Sequence, residues 1–126
     1  RAVPTFINEA LAGQPLTIYG DGKQTRSFCY VTDLVDGILR LLFSDFNGPM
    51  NIGNPEEYSI LDLAKIIARL VGVPEKFRNH PLPVDDPKVR RPDISLAKQK
   101  LGWSPRVPVE EGLKVTIDYF RKGPQP

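Results

Sequence analysis

Between residues 73 and 92, proline recurs at positions 74, 81, 83, 87 and 92, and this spacing limits what the chain can build there. Each ring fixes φ and removes a backbone donor. No helix fits, and only residues 76–79 or 82–84 can pair as short strands. Apolar residues recur at helical spacing on both sides of this segment, so a polar, proline-fixed loop of about twenty residues separates two helical parts. Loops of that length inside a compact domain are usually functional or disordered. The prolines and the flanking helices favour an ordered, functional loop.

The remainder reads as helices punctuated by short strands. Residues 1–12 place Val3, Phe6, Ile7, Ala10 and Leu11 on one helical face, which Gly13 stops. Residues 16–19 (LTIY) form a strand candidate. Asp21-Gly22 is a turn signal, and Gly20 supplies another position that a side chain would forbid. Residues 27–31, with Phe28 and Tyr30, read as a second strand or an extended lead-in. Thr32 is placed to cap the next helix, which is expected to bury Leu34, Val35, Ile38, Leu39, Leu41 and Leu42. Gly37 inside it costs about 1 kcal/mol in propensity and so predicts close packing. Residues 49–54 (PMNIGN) look like a short strand ending in a turn.

Ser59 and Asp62 have capping-box spacing, with Tyr58 and Leu63 placed as a hydrophobic staple. The helix they start carries Ile60, Leu63, Ala64, Ile67, Leu70 and Val71 to Gly72. Beyond the loop, Asp93 or Ser95 opens a short helix bearing Ile94, Ala97 and Leu101, closed by Gly102. Residues 103–108 form an extended connector. A last helix spans residues 109–121, with Glu110 and Glu111 suited to its N-terminal dipole and Leu113, Ile117 and Phe120 as its buried stripe. Helices separated by short, isolated strands fit the trailing half of an α/β domain better than a self-contained fold. A small independent helical domain is the alternative.

A chain of 126 residues is one domain in size, and a net charge of +2 is too small to make nucleic acid its main partner. Residues 76–106 nevertheless hold eight Lys or Arg against three Asp, an excess that suits an anionic ligand or a solvated face. The single cysteine, Cys29, excludes an internal disulfide and reads as a buried free thiol. One histidine and one cysteine leave no His/Cys zinc cluster, so no metal is expected. No apolar window approaches a membrane span, and there is no signal peptide. A cytoplasmic location is therefore expected, with any membrane anchor lying upstream of Arg1. The amphipathic pattern begins at once after Arg1, as if inside a larger domain.

No G-x-G-x-x-G follows a strand, because Gly20 and Gly22 supply only its first half and no helix opens there. No nucleophile–base arrangement is present, and His80, alone in the polar loop, reads as incidental. What remains is anion recognition. The planar fork of arginine matches phosphate oxygens. Arg26 follows a glycine turn and Arg90 lies in the rigid loop, so two fixed arginines from separate segments can converge on a diphosphate. The alternative is two ordinary surface arginines paired with Asp21, Asp85 or Asp86.

These residues carry a resemblance. RAVPTFINEAL, PLTIYGDGKQTRSFCYVTDLVDG, PMNIGNPEEYSILDLAKII, DDPKVRRPDISLAKQKLGW and the P-x-V-P-V-E-E-G-L run span nearly the whole chain. It resembles the C-terminal part of extended short-chain dehydrogenases/reductases of the NAD-dependent epimerase/dehydratase family, most nearly the UDP-glucuronic acid decarboxylases. The resemblance implies an α/β, Rossmann-type fold. Residues 1–126 would be its mostly helical, nucleotide-sugar-binding C-terminal portion. An N-terminal Rossmann part, absent from this chain, would bind NAD and supply a Tyr-x-x-x-Lys pair. Nothing here matches that pair, since Tyr30 is followed at its spacing by Leu34 and Tyr58 by Asp62. No catalytic or cofactor-binding residue is therefore assigned to this chain, which is expected to be inactive alone.

The implied enzyme converts UDP-glucuronate to UDP-xylose and carbon dioxide and is a homodimer. Within it, Arg26 and Arg90 would hold the diphosphate. Tyr19 and Gly20 would lie along the uracil and ribose, Gln24 beside the phosphates, and Arg1 near the sugar and cofactor. Arg91 is the less secure of its pair, relatives often having lysine there, and Asp33 would organise a helix start. Cys29, where relatives often carry glutamine, and the Val3-Pro4 region depart from the family pattern. A dTDP-glucose 4,6-dehydratase, a UDP-sugar 4-epimerase and a free-standing nucleotide-sugar-binding module are the alternatives. Helices that normally cover a parallel sheet are expected to expose their apolar stripes in a chain without it.

Overall fold

The computed structural model describes residues 2–83 and 91–123. In chain order these form α1 (Ala2–Leu11), β1 (Leu16–Tyr19), β2 (Thr25–Ser27), α2 (Val31–Leu42), β3 (Glu57–Ser59), α3 (Ile60–Val71), β4 (Phe77–His80), α4 (Ser95–Leu101) and α5 (Val109–Lys122). The class is α/β, as the sequence implies. β1 and β4 pair in parallel, with Leu16 opposite Phe77 and Tyr19 opposite His80. A parallel pair needs a long crossover, and β2, α2, β3 and α3 supply it. β2 and β3 pair antiparallel, with Arg26 opposite Tyr58.

Two apolar clusters hold these elements. In the larger, Phe6, Ile7 and Ala10 of α1 meet Leu63, Ala64 and Ile67 of α3, with Leu113 and Ile117 of α5. Strand periodicity adds Leu16 and Ile18 of β1 to this core, which leaves Thr17 and Tyr19 on the opposite face. The smaller cluster is Ile94, Ala97 and Trp103, flanked by Cys29, Met50 and Ile52.

Local signals explain the best-defined element. The Ser59 hydroxyl accepts from the Asp62 amide at 3.0 Å, and Gly72 ends α3 in the left-handed conformation. The remaining first-turn amides of α3 reach back to the glycine turn, where Ile60 N donates to the Gln24 carbonyl and Leu61 N to the Gly22 carbonyl, each at 3.0 Å. Gly22 has φ +74°, and a Cβ there would stand 2.9 Å from Leu61 Cβ, so the turn sits directly on the start of α3.

Several expectations are corrected. α2 starts at Val31, ahead of Thr32, and its N-cap Tyr30 makes no side-chain cap bond. Its apolar stripe is not buried: Val35, Ile38, Leu39 and Leu42 are exposed, and Leu34 and Leu41 are only half-buried. The buried positions of α2 are Asp33 and Gly37, because that side packs on Trp103 and Ile52. The close packing read from Gly37 is therefore present, on the face opposite the apolar stripe. Of residues 27–31 only Ser27 belongs to a strand, β2 (Thr25–Ser27) paired with β3, while residues 28–30 are the lead-in to α2, which starts at Val31. Residues 49–54 form no strand; Met50 and Ile52 pack on the smaller cluster, but no neighbouring strand offers a ladder among the described residues. The short pairing expected at 76–79 is realised as β4, one residue later. Leu11 lies at the exposed edge of α1, and Cys29 is half-buried.

Candidate functional site

The second face of β1 opens onto a groove of about 540 Å³. Thr17 and Tyr19 of β1, Gln24 of the glycine turn, and Arg26 and Ser27 of β2 form its polar wall. Phe6, Phe28 and Ile60 form its apolar side. Tyr19 is exposed at the rim, with its ring centroid 5.8 Å from that of His80 and tilted by 36°. Gly20 does not line the groove. It links the end of β1 to β4, its amide donating to the His80 carbonyl at 2.7 Å and its carbonyl accepting from Asn79 Nδ2 at 2.9 Å.

Gln24 is buried. Its Nε2 donates to the Tyr19 carbonyl at 3.0 Å while its own carbonyl receives Ile60 N, so side chain and backbone together close the turn. Arg26 is half-buried, and its Nη1 donates to the Thr25 carbonyl at 2.7 Å, which fixes one corner of the guanidinium. Ser27 Oγ is buried with no hydrogen-bond partner among the described residues. Beside the groove, Glu57 accepts from Thr25 Oγ1 at 3.0 Å and pairs with Arg91 Nε at 3.3 Å, which joins β2 and β3 to the far end of the proline loop.

Of the six residues expected at a ligand, Tyr19, Gln24 and Arg26 are brought to one groove and Gly20 lies beside it. Arg1 and Arg90 fall outside the described residues. Thr17, Ser27 and Phe28 were not singled out from sequence. The signal for Thr17 was present: in a strand with Leu16 and Ile18 in the core, Thr17 must share a face with Tyr19. Asp33, expected to organise the start of α2, makes no cap bond there and instead docks the connector of residues 103–108 onto the helix. Its Oδ2 accepts from the amides of Arg106 and Val107 at 3.0 and 2.8 Å, and its carbonyl accepts from Trp103 Nε1 at 3.0 Å.

Two side chains near the groove have displaced acidities. Burial, then the Asp33 carboxylate, pushes the Cys29 thiol up, so it stays protonated at neutral pH and is a poor nucleophile. Burial, then its 2.8 Å hydrogen bond to Glu56, pushes the Tyr58 phenol up to about 12. Neither provides a base near neutrality.

The glycine turn after β1 does not have the form that cradles a dinucleotide pyrophosphate. The turn after β1 leads into a strand, and the first-turn amides of α3 are taken by Gln24, Gly22 and Ser59. No group of three or more His, Cys, Asp or Glu among the described residues is placed to hold a metal ion. No described helix is long and apolar enough to cross a membrane.

Comparison with known proteins decides the family. Residues 1–116 match the family described as GDP-mannose 4,6 dehydratase. The chain belongs to that family. This GDP-mannose 4,6-dehydratase family member is 51% identical over 122 residues to UDP-glucuronic acid decarboxylase 1 of Danio rerio, which covers 97% of the chain and 29% of that protein. It is 46% identical to UDP-glucuronic acid decarboxylase 4 of Arabidopsis thaliana, covering 97% of the chain and 28% of that protein. The chain thus spans under a third of the length of these curated relatives.

Among solved structures, UDP-glucose 4-epimerase of Thermotoga maritima, determined with UDP-glucose, superposes with a TM-score of 0.92 at 34% identity, over 97% of this chain and 40% of that one. UDP-glucuronic acid 4-epimerase of Bacillus cereus, in complex with UDP-glucuronic acid and NAD, superposes at 0.90 and 34% identity with the same coverage. The family member therefore has the fold of part of an extended, Rossmann-type nucleotide-sugar enzyme, and the resemblance read from its sequence is borne out.

Proposed function

We propose that this chain is the C-terminal, nucleotide-sugar-binding portion of an NAD-dependent UDP-glucuronate decarboxylase, which converts UDP-glucuronate to UDP-xylose and carbon dioxide. One observation carries this reading: Tyr19, Gln24 and Arg26 converge on a groove with an apolar wall, in a chain 51% identical to a UDP-glucuronic acid decarboxylase. Arg26 supplies charge-assisted bonds to the diphosphate. Tyr19 and Gly20 lie along the uridine, with Gln24 beside the phosphates. Arg90 completes the diphosphate clamp from the proline loop, and Arg1 lies near the sugar.

NAD, held by an N-terminal part not included in this chain, supplies the oxidation and re-reduction of the sugar. This chain carries no catalytic residue and is inactive alone. The whole enzyme is a cytoplasmic homodimer that needs no metal.

Binding at the nucleotide end, far from the reacting carbon, anchors the substrate without lowering the chemical barrier. Incubating the full-length protein with UDP-glucuronate and NAD tests the proposal. Release of carbon dioxide with a UDP-pentose is expected. Formation of an epimeric UDP-hexuronate without carbon dioxide would instead make the protein a 4-epimerase, the alternative favoured by the epimerase folds it superposes on.

A further inference from the structure

Gln24 is the one amide-bearing residue in the groove wall, and its donor faces inward to the protein. Nε2 reaches the Tyr19 carbonyl at 3.0 Å across five residues of chain, while the Gln24 carbonyl is fixed by Ile60 N at 3.0 Å. The side chain is therefore a strut between the start of α3, itself anchored in the main core, and the last residue of β1. Tyr19 needs such a strut. Tyr19 is 49% exposed, its only ring partner among the described residues is the exposed His80, and the next residue is a glycine at positive φ. The Gly20 amide holds the Tyr19–Gly20 peptide to the His80 carbonyl of β4, and the Gln24 bond to its carbonyl is the second hold, the one that ties the rim to the turn leading into the wall that carries Arg26.

We infer that Gln24 is a positioning residue for nucleotide binding, one that acts through Tyr19 and not by touching phosphate. This rests on the nucleotide-binding reading above and sharpens it, because the two possible roles of Gln24 separate on the ligand. A residue beside the phosphates affects UDP and spares uridine. A residue that holds Tyr19 affects both alike, since Tyr19 lies at the uridine end.

The test uses the full-length protein and the near-isosteric Gln24→Met, which keeps the packing volume and removes the donor. Dissociation constants for uridine and UDP are measured by calorimetry on wild type, Gln24→Met, Tyr19→Ala and the double variant, with the melting temperature of each. The loss of one buried hydrogen bond predicts that Gln24→Met weakens both ligands by the same factor, roughly three- to tenfold. In the Tyr19→Ala background the backbone carbonyl at position 19 is still there but the ring it positions is gone, so the same change should alter either constant by less than about twofold. Weakening confined to UDP, additive losses in the double variant, or a lowered melting temperature with unchanged affinities would each overturn the inference. Conserved behaviour of Gln24→Asn, whose shorter amide cannot span the same gap, would also count against it. Wild-type protein that binds neither ligand would refute the nucleotide-binding reading itself, an outcome distinct from all of these.

Discussion

At Gly37 the helix has no room for a side chain. A Cβ there would stand 2.6 Å from Ile52 Cγ2 and 3.0 Å from Trp103 Cε2, two groups that close the smaller core against α2. Two effects oppose each other in Gly37→Ala. Helix propensity favours alanine by about 1 kcal/mol, while forcing a methyl into filled space costs typically about 1–3 kcal/mol. Because Trp103 is buried and its indole is held by the Asp33 carbonyl, it cannot give way cheaply, and the steric term wins. Urea unfolding should show Gly37→Ala destabilised by up to about 2 kcal/mol. An increase in stability would mean that Ile52 and Trp103 move aside freely. The same contact shows what sequence reading can deliver at this scale. A glycine in mid-helix announces close packing, but it does not name the neighbour, because Ile52 and Trp103 come from segments fifteen and sixty-six residues away.

At the scale of elements, legibility follows locality. The signals that mark α3 are local, namely the Ser59 cap, the apolar stripe and the terminal Gly72, while the Gln24 and Gly22 carbonyls that also receive its first amides come from a distant turn. Ser59→Ala removes the acceptor for the Asp62 amide and should lower stability by about 1 kcal/mol, measured as a shift of the urea midpoint at unchanged slope. No shift would mean that Gln24 and Gly22 alone satisfy the helix start. α2 was misread for the converse reason. Periodicity reports that a helix has an apolar face, but which face finds a partner depends on the rest of the molecule. Here Asp33 and Gly37 meet the Trp103 connector, and Val35, Ile38, Leu39 and Leu42 stay exposed.

Residues 49–54 were misread in the same sense, since a strand exists only with a neighbour to bond. Of the site, the turn and Arg26 were legible from local residue types, and the resemblance supplied their meaning. Thr17 and Phe28 join the groove only when β1, α1 and the segment after β2 are brought together in space.

At the scale of the whole molecule, the chain spans 29% of the length of a curated relative, and one of its amphipathic helices turns its apolar side out. The larger core is complete without that face, because α1, α3 and α5 close over β1 by themselves. The groove is built on this side, with a wall of Tyr19, Gln24 and Arg26. In the proposed enzyme this wall anchors the substrate, and the chemistry belongs to residues elsewhere.

That division is tested most directly by steady-state kinetics of Arg26→Ala in the full-length protein with UDP-glucuronate. Loss of a charge-assisted contact to the diphosphate should raise KM by a factor corresponding to about 1–3 kcal/mol, with kcat changed far less. A large fall in kcat at unchanged KM would place Arg26 in the chemical step and contradict the account.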